Sequence, residues 1–177
     1  QSAGLDQNNM SNMMKSISSS ASKGLSRLEN SKLLDNASKL PGLLNTITSS
    51  TLKATKEIKV QGFDPNDSAV LGSIIDEVIS GATESIEEMT MANESGFDLQ
   101  KTLSQIATGA ISGAQKISSN STISDDIKRK AIETLKEKTS ELNIPNKNSV
   151  TLDDLDMTAP VLVSTIPVDA SDNFFIK

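Results

Sequence analysis

The sequence predicts an all-α protein: an up-and-down bundle of four to five helices, built from internal repeats of about 30 residues and followed by an extended C-terminal tail. Three observations lead there. Apolar residues recur at the three/four spacing of a helix face, segment after segment. The segments resemble one another at a near-constant shift. And the apolar residues are Leu, Ile, Val, Met and Ala, with four Phe and no Trp or Tyr, which suits packed helices better than a sheet.

The repeat is visible on self-comparison. "MMKSISSSASKGLSRL" (13–28) shifted by thirty falls on "LLNTITSSTLKATKEI" (43–58), and a further thirty-one reaches "IIDEVISGATESIEEM" (74–89). A looser fourth copy, "IATGAISGAQKI" (106–117), places its "ISGA" thirty-two residues beyond the "ISGA" at 79–82, and the connector "GFD" occurs at 62–64 and again at 96–98. Each copy reads as a helix. In the second the face is Leu43, Leu44, Ile47, Thr51, Ala54 and Ile58; in the third it is Leu71, Ile74, Ile75, Val78, Ala82, Ile86 and Met89, taken as one continuous helix.

Start signals agree with this division. Pro41 suits a first helical turn and marks a place where the second segment divides from what precedes it. Asp67 or Ser68 suits the N-cap of the third helix, Asp98 of the fourth, and Ser124 followed by Asp125 and Asp126 of the fifth. That last helix, 124–142, stands outside the repeat and is amphipathic through Ile127, Ala131, Ile132, Leu135 and Leu142; Pro145 closes the helical region. The expected organisation is a flexible N-terminus at 1–9, the helical-repeat bundle at 10–143, an acidic linker at 144–157, and a distinct tail at 158–177. A stacked helical solenoid is the alternative that the repeat permits.

Every copy carries small residues four apart at its middle: Ser20/Gly24, Ser50/Ala54, Gly81/Ser85 and Gly109/Gly113. Such pairs let two helix backbones approach closely, and Gly costs about 1 kcal/mol against Ala in a helix interior, so packing put it there. A close crossing inside the bundle is the leading reading. Self-association through the same face makes Gly81, Ser85, Gly109 and Gly113 candidate interaction residues. The Ser-rich stretch 16–22 reads as small-residue helix surface.

Charge is segmented within a net of −6. Residues 1–60 carry eight Lys/Arg against four Asp/Glu, residues 61–100 carry nine Asp/Glu and no Lys or Arg, and residues 101–177 carry nine against ten. The acidic block argues against nucleic acid as partner. It also suggests that the third helix (Asp76, Glu77, Glu84, Glu87, Glu88) faces the basic residues of the last helix or those of the first pair.

No His and no Cys means no Ser-His-Asp or Cys-His nucleophile, no usual zinc site and no disulfide. The expectation is a non-enzyme without a cofactor or metal. "DPNDS" (64–68) opens like a calcium loop, but Ala69 and Ile75 stand where such a loop needs Gly and Glu, so helix capping is the better reading. "LDDLD" (152–156) reads as acidic linker rather than a calcium site. No apolar run of 18 residues is present to span a membrane as a helix.

The tail differs from everything before it. In "TAPVLVSTIPVDASDNFFIK" (158–177), Thr158, Ala159, Pro160, Val161, Val163, Ser164, Pro167, Ala170 and Asn173 follow a pattern of lead-in, Val-rich strand and Ser-x-x-Pro turn. This resembles the opening of bacterial Ig-like domains of the surface-layer type. It departs from them at Asp169-Ala170-Ser171 and at Phe174-Phe175. The resemblance covers about 20 residues, and what it implies is an exported module of a bacterial cell surface. It makes Val161 and Val163 candidate contacts, either within a truncated Ig-like domain or as a strand donated to another chain. The expected role is a structural or adhesion module, at the cell surface or secreted. A self-assembling fibre subunit and a membrane-active helical effector are the alternatives. The expected partner is another protein or a second copy, with membrane contact only through a lipid anchor ahead of Gln1.

Overall fold

A computed structural model describes residues 6–30, 37–58, 63–92, 97–118, 123–144 and 147–151. Val161, Val163, the segment 152–156 and the whole Ig-like resemblance lie outside the described residues. The chain is an all-α bundle. Its helices are α1 (Gln7–Asn30), α2 (Leu40–Ala54), α3 (Ser68–Thr83), α4 (Ile86–Ala92), α5 (Leu99–Ile117) and α6 (Ile123–Glu141), with 3-10 turns at Ala37–Lys39 and Lys147–Ser149.

Local chemistry sets most of the ends. Asp6 accepts from the Asn9 amide (2.7 Å) and opens α1 inside the segment expected to be flexible. Pro41 sits in the first turn of α2. Asp67 caps α3 through the Ala69 and Val70 amides, and Asp98 caps α5 through the Lys101 amide. Two expectations need correction. Helix α6 already includes Ile123, so Ser124 lies within its first turn and is not its cap, while Asp125 and Asp126 do occupy that turn. The third repeat copy is also not one helix. It is interrupted by a turn at Glu84–Ser85, at the level where Ser22 of α1 donates to the Ala82 carbonyl at 2.8 Å.

Cross-helix contacts fix direction and order. Lys15 meets Glu77, Ser18 meets Val78, Ser22 meets Ala82 and Ser26 meets Glu88, so α1 and α3 run parallel. Asp76 meets Lys130 and Thr134, and Glu87 meets Asn143, so α3 and α6 run parallel too. Asn45 meets Gln105 and Ser49 lies against Gly113, which makes α2 and α5 a second parallel pair. Ser118, after the end of α5, bonds Asn66 before the start of α3, which sets α5 antiparallel to α3. Consecutive long helices therefore alternate direction, while helices two apart lie side by side. The result is two layers, α1–α3–α6 and α2–α5, in which neighbours are about sixty residues apart, or two repeat lengths. An up-and-down bundle assembled this way has the translational stacking of a solenoid.

The core lies between the layers. Met10, Met14, Leu44, Leu52, Leu71, Ile74, Ile75, Ile79, Leu103, Ile106, Ala110, Ala131 and Leu135 are buried in one cluster. Each large aliphatic side chain contributes about 1.5–3 kcal/mol by leaving water. Leu142 and Ile144 join that cluster and Val150 packs on it, so the first part of the expected linker lies against the bundle.

Candidate interaction surface at the α1/α2 edge

Small residues create the contacts within each layer. A Cβ built on Gly81 would lie 2.5 Å from the Lys15 carbonyl oxygen and 2.9 Å from the Ser19 amide nitrogen, both on α1. One built on Gly109 would lie 2.5 Å from the Asn45 oxygen, and one on Gly113 2.8 Å from the Leu52 Cβ, both on α2. Ser85 is fully buried and shares a short hydrogen bond with Ser22. The four candidate interaction residues Gly81, Ser85, Gly109 and Gly113 are thus spent in close crossings within the chain. In the folded protein that face is not available for self-association.

The Ser-rich stretch is a second correction. Ser18, Ser19, Ser22 and Ser26 form the inner face of α1 and are buried. Ser18 donates to the Val78 carbonyl at 2.8 Å, and Ser19 and Ser26 donate to the carboxylates of Glu84 (2.5 Å) and Glu88 (3.0 Å). A hydroxyl on a one-carbon stem keeps the helices close and still satisfies its own polar atom, which explains why this interface is serine rather than leucine. Apolar periodicity cannot reveal such a face. The signal that could have found it is the spacing of Ser18, Ser22 and Ser26 at i, i+4 and i+8.

The repeat makes these faces comparable slot by slot. A shift of sixty-one takes Met13, Ile17, Ser20, Gly24 and Leu28 of α1 onto Ile74, Val78, Gly81, Ser85 and Met89. The second set is buried, with Gly81 and Ser85 pressed on α1. In the first set Met13 packs partly buried against the core, while the others are more open. Ile17 and Leu28 are each 43% exposed, Ser20 is exposed, and a Cβ on Gly24 would meet nothing within 4 Å. A shift of sixty-three relates α2 to α5 in the same way. Leu43, Thr46, Ile47, Ser50 and Ala54 are half-buried or exposed, whereas Ile106, Gly109, Ala110, Gly113 and Ile117 are buried. The slots that seat α3 on α1, and α5 on α2, thus have counterparts on α1 and α2 that are only partly buried. At the opposite end, α6 turns Asp125, Asp126, Arg129, Glu133 and Glu137 outward as a charged cap, which leaves the stack closed there.

Charge follows the same slots. Lys23 and Glu84 occupy one repeat position in α1 and α3 and form a 2.8 Å ion pair, which with the Ser19 hydroxyl holds the Glu84 carboxyl below the usual range. The equivalent position in α2 and α5 holds Lys53 and Lys116. Two ammonium groups meet there, and Lys116 together with partial burial pushes the Lys53 pKa down. The acidic third helix pairs in both directions, with Lys15 (3.4 Å) and Lys23 of α1 and with Lys130 (3.3 Å) of α6. The groove between α3 and α6 contains Asp76 with Lys130 and Asp126 with Arg129, opposite charges that already satisfy one another.

Asp64 accepts from the Asn66 amide at 2.8 Å and Asp67 caps α3, so the 64–68 segment is a turn leading into a capped helix. Among the described residues no helix is long and apolar enough to cross a membrane. Compared with known proteins, the chain matches no family model, no curated protein and no solved structure.

Proposed function

We propose that this chain is a structural or adhesion module of a bacterial cell surface, one that works by surface contact and not by a reaction. The observation that carries this reading is the translational stack itself. Helices two apart lie in parallel at twice the repeat length, and stacks of this kind present extended surfaces whose contacts are set by nearest neighbours. The α1/α2 edge supplies an outward stacking face of the kind a contact module needs. The location rests on the tail's resemblance to a surface-layer Ig-like opening.

Antibody labelling of intact and lysed cells tests the location. Labelling of intact cells, removed by brief external proteolysis, is the expected result. Signal that appears only after lysis would reject it.

A further inference from the structure

We propose that the α1–α3–α6 layer carries tension from the start of α1 to the end of α6, so that the module bears load along its helix axes. The proposal rests on the reading of the chain as a structural module and adds the direction in which it resists force. Helices α1, α3 and α6 run parallel, and the chain enters this layer at Asp6, which opens α1. It leaves at the opposite end, about 36 Å away at 1.5 Å per residue for the 24 residues of α1.

The chain after α6 is fastened to that far end. Lys147 donates to the Ser140 and Leu142 carbonyls at 2.9 and 2.7 Å, and Val150 packs on the core. Thr151 is then gripped through its backbone. Its amide donates to the Gln100 side-chain oxygen (2.8 Å), and its carbonyl accepts from the Gln100 side-chain nitrogen (2.9 Å). A pull on the chain beyond Thr151 therefore reaches the start of α5 as well as the end of α6, and both layers take it up.

A pull on opposite ends slides α1 along α3. The contacts that oppose sliding are spread over the length of the pair: Lys15 with Glu77, Ser18 with Val78, Ser22 with Ala82, Lys23 with Glu84 and Ser26 with Glu88. Rungs loaded in this way divide the force and must fail together. Peeled from one end, the same rungs would break in turn, each under the full load. Gly81 adds a steric stop, because a Cβ there would lie 2.5 Å from the Lys15 carbonyl oxygen. Sliding by one helical turn would bring Val78 or Ser85 into that place, and each has a side chain.

Constant-force unfolding of the full chain tests this, with thiol handles that are unique because the chain has no Cys. Asn8→Cys with Thr151→Cys pulls along the axes, whereas Arg27→Cys with Thr151→Cys pulls across one end. All three side chains are exposed, and Thr151 meets Gln100 through its backbone. At the same force the first pair should stay folded about tenfold longer or more, since forced unfolding reads the unfolding rate. Ser18→Ala should shorten the first lifetime severalfold and leave the second nearly unchanged, because peeling from Arg27 meets Ser26 and Ser22 first. Gln100→Ala should shorten the first lifetime too, as it frees Thr151 from α5.

Equal lifetimes in the two directions, or a longer one across the end, overturn the proposal. So does a Ser18→Ala effect of the same size in both directions, or in neither. A Gln100→Ala chain as long-lived as its parent would overturn the division of load between the layers. None of these outcomes bears on cell-surface labelling, so the direction of load and the location fail separately.

Discussion

Gly81 of α3 lies so close to Lys15 of α1 that a methyl group in place of its hydrogen would stand 2.5 Å from the Lys15 carbonyl oxygen. Gly24, one repeat slot beyond Gly81's counterpart Ser20, has nothing within 4 Å of the same built atom. The two glycines therefore answer alanine in opposite senses. Gly24→Ala gains helix propensity and should stabilise by about 0.5–1 kcal/mol. Gly81→Ala gains the same propensity but forces two backbones apart, at a cost of about 1–3 kcal/mol from overpacking. Urea denaturation should thus rank Gly24→Ala above wild type and Gly81→Ala below it, and an Ala at 81 that stabilised would refute the crossing.

Ser22 makes the second test of that interface. Its hydroxyl donates to the Ala82 carbonyl and meets Ser85, and both serines are fully buried. Ser22→Ala leaves the buried Ser85 hydroxyl short of its acceptor and the Ala82 carbonyl short of a donor, a loss of about 1–3 kcal/mol. The double change Ser22→Ala with Ser85→Ala removes both hydroxyls and should cost less than twice the single change. A thermodynamic cycle on the two positions measures that coupling.

The pair Lys53 and Lys116 places like charges where the other layer has Lys23 and Glu84. Lys53 binds its proton less tightly folded than unfolded. Stability at this site therefore rises as pH climbs from the lowered folded pKa towards the ordinary lysine value of about 10.4. Lys53→Glu converts the slot to an opposite-charge pair and should stabilise by up to about 1 kcal/mol at neutral pH. It should also abolish the alkaline rise, which denaturation at pH 7 and pH 10 reads directly. The gain should shrink in high salt.

Sequence pattern was enough for the helices and their repeat because that signal is local: a three/four apolar spacing, capping Asp67 and Asp98, and Pro41 in a first turn. It was also enough for close crossings, since Gly81, Gly109 and Gly113 have no local reason to be in helices. It did not reveal which helices would pair. Antiparallel neighbours are the usual expectation of short loops, yet the closest crossings join α1 to α3 and α2 to α5, because the small-residue faces match only at two repeat lengths. Nor did it reveal that Ile17 and Leu28 would be exposed while Ser18, Ser22 and Ser26 faced inward. Hydrophobic periodicity assigns a face by transfer energy. Here the choice was made by how near two backbones must come, and a leucine at Ser22 would hold them apart.

Glu84 links the interface to acid. Its carboxyl is held below the ordinary range first by Lys23 and then by the Ser19 hydroxyl. A carboxyl whose folded pKa is depressed gives its stabilisation above the unfolded value, about 4.3, and loses it as pH falls through the folded one. The side chain is about a third exposed, 36%, so water screens the pair and its share stays below about 1 kcal/mol. Denaturation midpoints should therefore fall between pH 5 and pH 3 by a small but resolvable amount. Glu84→Gln should lower stability at pH 7 and flatten that part of the profile, while Lys23→Met should do the same by removing the partner and leaving the carboxylate. If Glu84→Gln left both the neutral stability and the acid slope unchanged, the Lys23–Glu84 contact would hold no part of the α1/α3 pairing, and the serines and Gly81 would carry it alone.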